Sequence, residues 1–174
     1  MNRETLRHII RGILFLIVQV LILKRISSGN QWLWLNGEIF IYPIIILLLP
    51  IRLSRHYVTL ISFCLGLFID MFYDTVGIHA FALTAMGYAR GIILSYLEPR
   101  GGYQLTMGPT RHSMGINWLL AYTSFLFIVF VFLYFTVEIF TFVYVGKILI
   151  KTIITFLLSM MTIMGYHMLF NPRR

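Results

Sequence analysis

Six long apolar runs, separated by short polar pieces, constrain this chain more than anything else in it. They lie at residues 9–23, 39–49, 57–72, 78–97, 116–135 and 148–169. About 20 residues of helix cross a bilayer. The last three runs meet that length and the third nearly does. The first reaches it with Arg11 and Lys24 snorkelling at its ends. Of the 174 residues, 59% are hydrophobic and 11% are charged, whereas a soluble domain is roughly one quarter charged. A chain this short cannot bury so much apolar surface within itself, so lipid must cover much of it. That excludes a disordered chain, a coiled coil and a disulfide scaffold, and it argues against a soluble enzyme. The single cysteine, Cys64, permits no intramolecular disulfide.

The expected fold is an all-α integral membrane bundle of about six transmembrane helices forming one polytopic domain over residues 1–174. The spans are predicted at about 9–26, 32–49, 57–73, 78–97, 116–135 and 147–169, with an inner loop at 98–115. A membrane barrel would need stretches of alternating character, and residues 44–49 are a continuous apolar block instead. The second span is the irregular one. Pro43 interrupts it, Pro50 ends it, and Asn36-Gly37 breaks it after an aromatic anchor at 32–35. It is expected to be short, kinked or partly re-entrant. The first span follows three arginines, but Ile26-Ser27-Ser28 is a poor cleavage site, so it is read as a retained helix.

In a soluble protein the net charge of +8 would suggest nucleic acid. Here it reads as membrane orientation, with lipid as the partner and no nucleic acid. With the N-terminus inside, Arg3, Arg7, Arg11, Arg52, Arg55, Arg90, Arg100, Arg111, Arg173 and Arg174 fall on the inner side. Lys24, Arg25, Lys147 and Lys151 fall outside. The positive-inside rule then places both termini in the cytoplasm.

Ser62, Gly66, Asp70 and Asp74 recur at every fourth position and so share one helix face. Small residues at that spacing let a second helix approach closely. Asp70 then projects from a packing face, where a carboxylate must meet protein or water. Two readings stand: a partner or gating contact, or an ordinary interfacial acid. Asp74 reads as the cap of the following helix. Gly87, Gly91 and Ser95 repeat the spacing in the fourth span. His79 and Arg90, eleven residues apart, lie nearly on one face of it, with Arg90 expected to snorkel to the inner surface or to form a buried ion pair.

Asp70, Asp74 and His79 lack a fourth ligand, so no metal is expected. Hydrolase elbows, zinc-protease helices, P-loops and Cys-x-x-Cys pairs are absent from the sequence, and neither catalytic residues nor a cofactor are predicted. The aromatic crowding at 118–135 reads as packing and interface anchoring. Residues 135–144 read as an apolar outer loop that something covers.

Taken in order, Pro43, Leu49-Pro50, Gly66-Leu67-x-x-Asp70, Gly77-x-His79-Ala80, Arg90 and Pro99-Arg100-x-Gly102-Tyr103 resemble the MreD family of rod shape-determining membrane proteins. The resemblance covers roughly residues 39–103. It implies a non-enzymatic subunit of the bacterial elongation machinery in the cytoplasmic membrane, beside an MreC-like bitopic scaffold. Such a subunit helps couple the MreB filament to the transpeptidase and glycosyltransferase that build peptidoglycan. It also implies a fold similar to the substrate-binding components of energy-coupling-factor transporters, although fold does not fix function. The candidate packing or partner-contact residues are therefore Ser62, Gly66, Asp70, Gly77, His79, Gly87, Arg90 and Gly91. The alternative is a small-solute carrier or its binding subunit, which would need a polar cavity at mid-membrane depth.

Overall fold

A computed structural model of the chain describes residues 3–25, 37–103, 108–140 and 144–169. The aromatic anchor at 32–35 and Asn36 lie outside these residues. Among the described residues every regular element is helical. Helix α1 (Arg3–Val18) runs without a break into a π-helical turn at Gln19–Leu23. One short turn of helix, α2 (Ile44–Leu47), comes next. Then follow α3 (Arg55–Tyr73), α4 (Ile78–Tyr96), the short α5 (Arg111–Met114), α6 (Ile116–Ile139) and α7 (Val145–Leu169).

Four helices are long and apolar enough to cross a membrane: α3, α4, α6 and the Val145–Tyr166 part of α7. The first predicted span differs from them. Its apolar stretch, Ile10–Leu23, rises only ~21 Å at helical pitch, against a hydrocarbon core of ~30 Å. Helix α6 runs four residues beyond its predicted end, so part of the expected outer loop is helix. It stops at Phe140, which has a left-handed backbone (φ +43°).

The second predicted span, expected to be short, kinked or partly re-entrant, is mostly non-helical among its described residues. Residues 37–41 carry no regular structure, and the only helix in the run is the single turn α2. Pro43 supplies the N-cap of that turn, where its missing N–H costs nothing, and Pro50 closes the run. The run is apolar because protein surrounds it. Phe40, Ile41, Tyr42, Ile44, Ile46 and Leu47 are all buried and form the centre of the core. Hydropathy cannot distinguish a segment wrapped in helices from one wrapped in lipid.

Helical neighbours build the wall around this segment. Across α3 and α4, Gly66 meets Ala80, Ser62 meets Gly87 and Arg55 meets Gly91, so the two run antiparallel. Helix α6 runs antiparallel to α4, with Tyr134 beside His79 at one end and Trp118 Nε1 donating to the Leu97 carbonyl (2.8 Å) at the other. Helix α7 turns back along α6, with Lys151 and Glu138 in an ion pair at 3.3 Å. The outer faces are apolar: Leu60, Met71, Ile153 and Leu157 are among the exposed side chains, as lipid-facing positions should be.

Non-helical backbone at membrane depth must find hydrogen bonds inside the protein, and here side chains supply them. The Gln19 amide bridges the unwound segment like a strand partner. Its Nε2 donates to the Ile39 carbonyl (3.1 Å) and to Tyr73 Oη (2.6 Å), and its Oε1 accepts from the Ile41 N–H (2.8 Å). From α7, Thr155 Oγ1 accepts from Glu38 N and Ser159 Oγ from Phe40 N, both at 2.9 Å. Replacing Gln19 with leucine strands two backbone groups. At about 1–3 kcal/mol for each buried orphan, Gln19→Leu should destabilise the protein by about 2–6 kcal/mol. Unfolding in a fixed detergent checks this. A loss below about 0.5 kcal/mol would mean that the segment repairs its own hydrogen bonding.

Candidate functional site

The two ends of α4 carry the polar groups that organise the centre. At its N-terminal end, α3 stops at Asp74, whose backbone is left-handed (φ +56°). Gly77 starts α4 as its N-cap with φ +81°, a conformation that favours glycine. No atom lies within 4 Å of where a Gly77 Cβ would stand. Gly77 therefore serves the turn and not a close helix approach.

Asp70 is buried and faces the first turn of α4. Its Oδ1 accepts from the His79 N–H (3.0 Å) and from Thr75 Oγ1 (2.5 Å), and its Oδ2 accepts from the Ala80 N–H (2.9 Å). The carboxylate thus satisfies two orphan donors of a helix start and opposes the positive end of the helix dipole. This corrects the sequence reading of the neighbouring acid. The cap of α4 is Asp70, eight residues upstream of the helix, and not Asp74. Asp74 is nearly fully exposed, with Lys24 at 3.9 Å. Lys24 also donates to the Phe72 carbonyl and lies over the Tyr73 ring, so the end of α1 covers the C-terminus of α3, where cations are favoured.

His79 has no exposed surface. Its Nδ1 and Tyr42 Oη are hydrogen-bonded at 2.6 Å, and the rings of Phe40, Tyr73 and Tyr134 enclose it. Its Nε2 has no hydrogen-bond partner among the described residues. Eleven residues on, Arg90 leaves the same face of α4 and is 2% exposed. Its Nε donates to Tyr122 Oη (2.7 Å), and one terminal nitrogen donates to the Leu49 carbonyl (2.5 Å) and, at 3.4 Å, to that of Pro50. Tyr122 Oη in turn donates to the Leu47 carbonyl (3.2 Å). Arg90 therefore does not snorkel, and among the described residues it pairs with no acid. It caps the free carbonyls where the central segment ends.

The small-residue stripes of the third and fourth spans pack against one another. A Cβ on Gly66 would overlap the backbone of Ala80 and the His79 carbonyl, and one on Gly87 would overlap the Ser62 side chain. A Cβ on Gly91 would meet only the Arg55 side chain, 2.7 Å from Nε. Ser62 bonds within its own helix, to the Val58 carbonyl (2.8 Å). Sequence reasoning missed Gln19, Tyr42, Tyr122, Thr155 and Ser159. A signal was present: each is a polar side chain inside an apolar run, where polar groups glue helices together.

Chemically, the arrangement holds backbone. Both Asp70 oxygens are occupied, and Arg90 uses its Nε and one terminal nitrogen on a phenol and two carbonyls. Among the described residues no three His, Cys, Asp or Glu side chains come together in a way that could hold a metal ion. No family model, curated protein or solved structure matches the chain.

The contacts set an order for alanine at the three glycines. Gly66→Ala drives backbone from backbone, Gly87→Ala displaces a serine in its rotamer, and Gly91→Ala moves only the end of a flexible arginine. Overpacking costs about 1–3 kcal/mol, so Gly66→Ala should lower the melting temperature in detergent most and Gly91→Ala least. Asp70→Asn keeps the volume but presents a donor to N–H groups and gives up charge-assisted bonds. It should cost about 1.5–3 kcal/mol with unchanged membrane abundance. A wild-type melting curve for Asp70→Asn would show that the cap carries no stability.

Proposed function

We propose that the chain is a non-enzymatic subunit of the bacterial cell-elongation complex, of the kind represented by the MreD family. In this reading it lies in the cytoplasmic membrane with both termini inside. It sits beside an MreC-like bitopic protein and helps couple MreB to the transpeptidase and glycosyltransferase of peptidoglycan synthesis. One observation carries the proposal. Several of the residues that bear the resemblance meet one another around the central segment: Asp70 with His79 and Ala80, Gly66 with Ala80, Arg90 with Leu49 and Pro50. Tyr103, the last of the set, donates to the Leu94 carbonyl (2.7 Å) and fastens the loop after α4. A set of residues committed to building a bundle suits a protein that works by presenting surface to partners.

The directions of α3, α4, α6 and α7 alternate. Under the arginine asymmetry, Arg55, Arg90 and Arg100 then lie on the cytoplasmic side, with Lys24, Lys147 and Lys151 opposite. The central segment, anchored on both flanks, acts as the remaining re-entrant or crossing piece.

A carrier is the second reading, favoured by the non-helical segment within the bundle, since such segments line substrate sites in transporters, and by the unpartnered His79 Nε2. Against it, the rings of Phe40, Tyr42, Tyr73 and Tyr134 fill the space around His79. Purification of the tagged chain from a bacterial membrane in mild detergent separates the two. A stoichiometric single-span protein should accompany it. A retained water-soluble small molecule, with no protein partner, would replace the subunit reading with the carrier. A reporter fused after Arg174 should signal the cytoplasm and one placed at 136–138 the outside; reversed signals at both would invert the orientation.

A further inference from the structure

The end of the bundle that holds Arg90 also contains a cavity that the packing does not use. It has a volume of about 240 Å³ and lies between the start of α3 and the last turns of α4, bordered by Arg55, Gly87, Arg90, Gly91, Ser95 and Tyr103. That is small for a drug-sized ligand and suited to a headgroup. Its charge is unbalanced. Arg90 and Arg55 both line it, and neither has a carboxylate within ion-pair distance among the described residues. Glu98 stands at its exposed rim, leaving a net positive site. The N-terminus of α3 opens beside it, its N-cap Ser54 making no side-chain capping bond, so the helix dipole adds positive potential. A buried guanidinium that lines a cavity, with no carboxylate paired to it among the described residues, favours an anion.

Arg55 is shared with a second hollow. On the outer side of the α3–α4 pair, a groove of about 380 Å³ is lined by Arg55, Leu60, Phe63, Thr84 and Tyr88. Arg55 lies over the Tyr88 ring, 5.0 Å from its centroid, between the two hollows. From Arg55 to Phe63 the groove descends ~12 Å along α3, from the helix end toward its middle, and Leu60 and Phe63 are exposed along it. Charge at one end and apolar wall at the other match a single amphiphile.

We propose that this pair of hollows binds the phosphate group of an anionic membrane lipid. The phosphate lies between Arg55 and Arg90, and the hydrocarbon lies in the Leu60–Phe63 groove. Both arginines keep their existing contacts, and the phosphate oxygens supply the missing negative charge. Phosphate is the shared chemistry, and the lipid supplies it because the groove continues into the apolar face.

The full chain, purified in neutral detergent, is exposed to phosphatidylglycerol, to phosphatidylcholine or to inorganic phosphate alone, and followed by native mass spectrometry and thermal melting. Phosphatidylglycerol should be retained about tenfold over phosphatidylcholine and should raise the melting temperature. Arg55→Gln should weaken that retention about fivefold, the equivalent of about 1 kcal/mol per arginine at a membrane surface. Ser95→Phe, which fills the cavity and leaves both arginines, should weaken it at least as much. Arg52→Gln, at an exposed arginine that borders neither hollow, should change it less than twofold. Equal losses for Arg52→Gln and Arg55→Gln would mean general surface attraction and overturn the site. Undiminished retention in both Arg55→Gln and Ser95→Phe would overturn it as well. Inorganic phosphate that stabilises as strongly as the lipid, and does so through Arg55, would overturn the lipid as the source.

Discussion

A backbone that leaves helical geometry inside a bilayer has to replace every hydrogen bond the helix would have made, because lipid offers none. The rest of this structure is arranged around that requirement at residues 37–50. From one flank the Gln19 amide takes a carbonyl and an N–H of the segment, and Thr155 and Ser159 take two more N–H groups from the other. Arg90 and Tyr122 close the far end by donating to three carbonyls. Remove these side chains and a deeply buried piece of the chain becomes costly to keep in place.

The same logic explains the local irregularities. Gln19 begins a π-helical turn, a form that recurs where a helix must re-aim a side chain, and here it aims an amide at a peptide. Asp70 serves a related purpose one layer out, since it lets α4 begin within the bundle without orphan donors. The close approach of α3 and α4 at Gly66 brings the Asp70 carboxylate within bonding distance of the next helix. Packing and polar satisfaction are therefore one construction at this hairpin.

Much of this was legible in the sequence, and what was not has a physical reason. The four long helices follow from run length alone. The spacing of Ser62, Gly66 and Asp70, and of Gly87 and Gly91, identifies faces for close packing, and these faces meet. Periodicity could not say that the two stripes belong to each other, because it locates a face without its partner. Pro43 and Pro50 marked the second span as irregular, but its wrapping in protein was not legible, since hydropathy reports the absence of water and not the presence of lipid. Arg90 was misread because a long basic side chain near a helix end usually reaches water; the free carbonyls that hold it inward exist only once the Pro50 bend has formed. Asp74 sits beside the helix it was expected to cap, but its left-handed backbone spends it on ending the previous one.

The bonds from Thr155 and Ser159 join positions 117 and 119 residues apart. A ribosome adding about 5–20 residues per second needs about 6–24 s to make the chain between them. For that interval the segment at 37–41 exists without half of its partners, in a membrane that cannot substitute for them. Its final shape is therefore set after its own synthesis, once α7 has arrived. The segment at 38–40 is completed by side chains made more than a hundred residues after it.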